Sequence, residues 1–241
     1  MNEDKTFIRA IVDNPGDNTS RLVYADWLDD RDDPRGTYLR AEHEAVVTGD
    51  IARLRQLAVG LDPVWVARVS MPPIGVCIDG AKIAHCGPQI TTDEIATLED
   101  RIGGEFPADY KAFLLNYNGG RIDLPSIQTS AGEIIDLGIE WWFYEAHEVG
   151  PFPVRPDDYS RDEEADPEIE VALAEWCNRF VVVGHDPDVI GSIFIGVRNP
   201  HFGQVYIFDT SVELECSYRA IQREPRPYAN SFTELLASIL Q

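Results

Sequence analysis

The sequence predicts an α/β (α+β) chain, with a small all-α module in front of a larger domain built from a helical hairpin, a mixed sheet and a C-terminal helix. Three observations predict it. Apolar residues recur at helical spacing through the first 70 positions, alternation replaces that spacing beyond about residue 120, and the acidic excess is divided unequally between the two parts.

The 241 residues carry 42 acidic and 20 basic side chains, a formal net charge of −22, and their 44% hydrophobic content is enough for a packed core. Residues 1–89 hold 10 basic and 14 acidic side chains, an excess of −4; residues 90–241 hold 10 and 28, an excess of −18. Such a field repels nucleic acid and speeds encounter with a basic protein partner, although the same charge also serves solubility.

In the helical part, Phe7/Ile8 and Ile11/Val12 lie one turn apart and end at Asn14-Pro15-Gly16. Ser20 is the expected N-cap of a second helix with Leu22, Val23, Trp27 and Leu28, which stops in the charged turn 29–36. Two further helices are expected at about 37–47 and 51–58, with Trp65 following Pro63. Residues 71–90, rich in Pro and Gly, read as a linker or an edge hairpin, so the expected division is 1–70, 71–90 and 91–241.

Thr91-Thr92-Asp93-Glu94 fits a capping box, in which hydroxyl and carboxylate satisfy each other's backbone donors, and Ile95, Leu98 and Ile102 follow on one face. Gly103-Gly104 can close that helix and Pro107 can open the next, whose buried stripe is Tyr110, Phe113, Leu114 and Tyr117. Strands are expected at 133–137, 140–144, 179–184, 191–197 and 204–209, the last two joined by a hairpin loop at 198–203. An acidic stretch at 157–170 runs into an amphipathic helix with Ile169, Leu173 and Trp176, and a second capping box, Ser231 to Glu234, starts a closing helix.

The opening MNEDKTFIRA has no basic stretch followed by an apolar one, and the longest apolar runs are far too short to span a bilayer, so a cytoplasmic protein without membrane contact is expected. Four cysteines, Cys77, Cys86, Cys177 and Cys216, without C-x-x-C spacing, suit reduced and mostly buried thiols.

The chemical candidates have bland competitors. Cys77, His85 and Cys86 are soft ligands, but C-x7-H-C is no standard zinc spacing, and no metal or other cofactor is expected. Asp29, Asp30, Asp32 and Asp33 lack the glycine and glutamate of an EF-hand register and read as a solvated turn. His185 and Asp186 put an imidazole beside a carboxylate after a strand, the basis of a rival hydrolase or metalloenzyme reading, yet no activated Ser or Cys pattern accompanies them, and a strand-ending Asx turn is the alternative. Trp141-Trp142-Phe143-Tyr144 alternates aromatics across a strand, so an exposed pair would anchor a partner, the competing reading being that helices cover all four.

The segments IGGEFPADYKAFLLNYNGG (102–120), VVVGHDPDVIGSIFIGV (181–197), GQVYIFDT (203–210) and SFTELLASIL (231–240), in that order, resemble the SUKH superfamily of Smi/Knr-type domains. NPGDNTSRLVYADWLDDRDDPRGTYLRAEHE (14–44) is similar to a repeat-companion module of environmental bacteria, whose own role is unassigned. The first resemblance implies an adaptor rather than an enzyme, in bacteria an immunity protein that blocks a toxin, often a nuclease, and in fungi a regulatory scaffold. The expected partner is then a basic toxin domain. The expected contact residues are Trp141 and Trp142 with the acidic Asp157, Asp158, Asp162, Glu163, Glu164, Asp166 and Glu168, and none is expected to be catalytic.

Overall fold

The computed structural model describes residues 3–72, 74–78, 82–123, 127–128, 134–135, 140–150, 175, 178–186, 191–209 and 227–239. The helical part comprises α1 (Glu3–Asp13), α2 (Asn18–Asp29), α3 (Arg35–Thr48), α4 (Ile51–Ala58) and α5 (Pro63–Val69). Its core gathers Ile11, Tyr24, Leu28, Tyr38, Leu39 and Trp65, with Phe7, Ile8 and Val12 packed alongside. The expected cap of α2 is corrected: Asp17, not Ser20, accepts from the Thr19 N–H at 2.9 Å, and the Ser20 hydroxyl donates to Asp17. A carboxylate three residues upstream outcompetes the hydroxyl for the free amide, so the helix starts earlier. The seven-residue α5, with Asp62 as cap and Pro63 in its first turn, was expected only as part of a general helical pattern.

The run from Arg21 to Gly36 is spent on holding these helices together. Tyr24 donates to Asp4 at 2.5 Å and accepts from the Trp65 indole at 3.2 Å, and Arg35 reaches both Asp33 (2.8 Å) and Asp4 (3.1 Å). Burial, with the Asp4 hydrogen bond added, pushes the Tyr24 phenol well above its ordinary range. Asp29 pairs with Arg40 at 2.8 Å and Asp33 accepts from the Arg35 N–H at 3.0 Å, so these carboxylates serve arginines and a helix start. At Gly36, α3 crosses α2 so closely that a Cβ would lie 3.0 Å from the Ala25 carbonyl oxygen.

The second part starts with the expected capping box: Thr91 Oγ1 accepts from the Glu94 N–H at 3.3 Å while Glu94 accepts from the Thr91 N–H at 2.7 Å. It opens α6 (Thr92–Ile102), which Gly103 ends in the left-handed region, and α7 (Ala108–Tyr117) follows Pro107. Glu99 ties the hairpin by accepting from the Phe106 N–H at 2.7 Å and pairing with Lys111 at 2.9 Å. The closing helix α8 spans Phe232–Ile239. Its capping box is only half formed: Ser231 accepts from the Glu234 N–H, but Glu234 reaches back to Asn230 rather than to Ser231.

The strands are β1 (Gly120–Asp123), β2 (Ile127–Gln128), β3 (Ile134–Ile135), β4 (Glu140–Phe143), β5 (Phe180–Asp186), β6 (Gly191–Gly196) and β7 (Val205–Asp209). Five of them form one sheet in the order β1-β4-β5-β6-β7, and β2 pairs with β3 separately. All the described pairings are antiparallel. Helices α7 and α8 cover one face, where the Phe232 ring stands 4.9 Å from Phe113, 4.9 Å from Tyr110 and 5.4 Å from Phe143. Side chains that alternate inward from β1, β4, β5 and β6, namely Ile122, Phe143, Val181, Val183, Ile193 and Ile195, complete that core. No helix among the described residues is long and apolar enough to cross a membrane.

Candidate functional site

The opposite face of the sheet carries a row that register alone assembles. Arg121 pairs with Trp142 across β1 and β4, Trp142 with His185 across β4 and β5, and His185 with Ser192 across β5 and β6. Residues opposite one another on a single face are the closest neighbours a sheet provides. The Arg121 guanidinium carbon lies 5.7 Å from the Trp142 ring centroid, and the Trp142 and His185 rings stack at 6.1 Å and 14°. Tyr144, two residues beyond Trp142, lies 5.5 Å from His185. A cation, an indole, an imidazole and a phenol thus make one continuous strip across three strands.

A β-bulge puts His185 there. Val182 pairs with Phe194 and Gly184 with Ile193, leaving Val183 as the extra residue, so Val181 and Val183 both stay in the core while His185 turns to the outer face. In a regular ladder the two-residue alternation would send His185 inward. The bulge also requires glycine at 184, because a Cβ would lie 2.1 Å from the Trp142 carbonyl oxygen.

Next to the strip, Phe180, Val182, Phe194 and Tyr206 form a small second apolar cluster with Tyr144 against it. The Tyr206 hydroxyl is fixed at 2.8 Å from His201 Nδ1 and 2.7 Å from Gln204, and burial raises its pKa. His185 Nδ1 is buried without a hydrogen-bond partner among the described residues. A buried ring nitrogen in that condition can still donate or accept one bond.

Of the expected contact residues, Trp142 is half-buried on this strip. Trp141 stands opposite Ile122 in β4, but its side chain lies outside the described residues. Asp157, Asp158, Asp162, Glu163, Glu164, Asp166 and Glu168 also lie outside them, as do Cys177, Cys216 and the expected helix with Ile169, Leu173 and Trp176. Arg121 was not anticipated. It follows Asn118-Gly119-Gly120, which reads as a turn, and β1 is too short to show alternation.

His185 sits within β5 and Asp186 is its last residue; Ser192 faces His185 across the ladder, with no side-chain hydrogen bond between them among the described residues. Cys77 is buried in the helical core, where burial pushes its thiol up to about 12, while Cys86 is exposed. Among the described residues no group of three or more His, Cys, Asp or Glu side chains could hold a metal ion.

Residues 89–238, which span α6, α7, the sheet and nearly all of α8, match the model of the SMI1 / KNR4 family (SUKH-1). The chain belongs to the SMI1/KNR4 family. The SMI1/KNR4 match leaves the five N-terminal helices outside it. Comparison with curated proteins and with solved structures finds no match.

Proposed function

We propose that this SMI1/KNR4 chain is a non-catalytic, cytoplasmic protein-binding module that neutralises a bacterial toxin, with nucleases as the candidate class, by direct contact with a basic surface. The observation that carries the reading is the Arg121–Trp142–His185 strip in a family domain whose residues 90–241 hold an acidic excess of −18. A flat strip of stacked rings gives large contact area at little cost in side-chain entropy, and the acidic excess gives fast encounter with a cationic partner.

Trp141 and Trp142 supply the aromatic contacts in this proposal, and Asp157, Asp158, Asp162, Glu163, Glu164, Asp166 and Glu168 the acidic rim. The helical part, through its resemblance to the repeat-companion module, is proposed as a companion domain. A regulatory scaffold is the alternative use of the same binding face.

The experiment is capture of partners on the full chain, followed by co-expression of the chain with the captured protein. Recovery of growth from a partner that is toxic alone supports neutralisation. A captured partner that is harmless alone, or toxicity unchanged by the chain, contradicts it and favours the scaffold.

A further inference from the structure

Helix α5 belongs to two cores at once. Trp65, Val66 and Val69 pack with the helical part, whereas Ala67 and Val64, one turn apart, pack into the sheet core. The chain leaving α5 continues the division, because Val76 and Ile78 enter the sheet core and Cys77, between them, enters the helical core. That is the alternation of an extended segment with an apolar neighbour on each side.

Polar side chains bind the same segment from both directions. From the helical side, Arg21 donates to the Val69 carbonyl at 3.0 Å, Glu42 accepts from the Met71 N–H at 2.8 Å, and the Tyr38 and Ser70 hydroxyls meet at 2.6 Å. From the sheet side, the Tyr117 hydroxyl accepts from the Ile78 N–H at 2.7 Å and donates to the Ile78 carbonyl at 3.0 Å, while Asn116 donates to the Val76 carbonyl at 2.9 Å. Gly75 lets the segment double back, since a Cβ there would lie 2.3 Å from the Ser70 carbonyl oxygen. A flexible tether has none of these features: its backbone is solvated and its side chains face water.

We infer that residues 69–71 and 75–78 form a seam that makes the helical and sheet cores fold and open as one cooperative body, with the buried Arg21–Glu42 pair as its polar latch. The helical part is then a fixed brace behind α7 rather than a mobile appendage, and a partner on the sheet meets it in one position.

Hydrogen exchange on the full chain tests this with a small lesion in the helical core. Ile11→Val removes one methyl group from the helical core. In one body, the slowest amides of α2 and of β6 accelerate by the same factor, a few-fold to about tenfold. Acceleration in α2 with β6 unchanged overturns the inference. The latch is tested by repeating the lesion in Arg21→Met/Glu42→Met, which leaves no orphaned charge, and in Tyr117→Phe, which leaves the helical core intact should the double variant not fold. The response of β6 to Ile11→Val shrinks in these backgrounds; a response as large as in the parent shows that the seam is not what couples the cores.

Discussion

Arg21 and Glu42 face one another at 3.6 Å beneath the seam, only 2% and 5% exposed. Burial pushes the Glu42 carboxyl up to about 7, and the Met71 N–H and the Arg21 charge offset only part of that. Charged groups removed from water pay a desolvation cost that one partner at this distance does not repay.

The sign of the linkage follows. Glu42 binds its proton more tightly folded than unfolded, so the stability it contributes is full below its ordinary value of 4.5 and is lost as pH rises through about 7. Glu42→Gln cannot titrate. Whatever its absolute stability, the difference from the parent should shift in the variant's favour by about 3 kcal/mol at most between pH 4.5 and 7.5. Denaturant unfolding across that range checks it; a pH-independent difference contradicts it.

Gly36→Ala should destabilise the helical part by about 1–3 kcal/mol, because the new methyl group would press on the Ala25 carbonyl and the Asp29 carboxylate where α3 crosses α2. A fall in the thermal midpoint with retained helical circular dichroism is the expected result. Unchanged stability would mean that the two helices can separate freely at that point.

Gly184→Ala should disturb the aromatic strip itself. Its methyl group would meet backbone, the Trp142 carbonyl oxygen, so β4 and β5 must part rather than a side chain rotate. The near-ultraviolet circular dichroism of the tryptophans should change together with a loss of about 1–3 kcal/mol. A variant with parental spectrum and stability rules out the bulge geometry.

Signals that are local in the chain were legible from sequence. The Thr91–Glu94 box, the Gly103 stop and Pro107 start marked α6 and α7 because each acts through bonds a few residues apart. Strands β5, β6 and β7 announced themselves through continuous apolar alternation, with ends shifted by one or two residues. What depended on distant partners was not legible. Arg121 joins Trp142 only through β1–β4 register, and His185 faces outward only because Val183 is extra in the ladder. Residues 71–90 read as a linker or an edge hairpin by composition, but Val76, Cys77 and Ile78 are buried, divided between two cores whose other members come from distant parts of the chain.

The proposed binding mode separates two kinetic roles. Trp142→Ala removes the ring that links Arg121 to His185, so it should mainly shorten the lifetime of a complex. Neutralising Asp157, Asp158, Asp162, Glu163, Glu164, Asp166 and Glu168 together should mainly slow its formation. Reversal of these effects would place the aromatic strip outside the contact.

The most direct measurement is the association rate of the full chain with its captured toxic partner from low to high salt. Steering by an excess of −18 predicts a fall of about tenfold or more, with a smaller fall for the neutralised acidic variant. An association rate independent of salt, with the neutralised variant binding as fast as the parent, would show that the acidity serves solubility alone and would contradict the account.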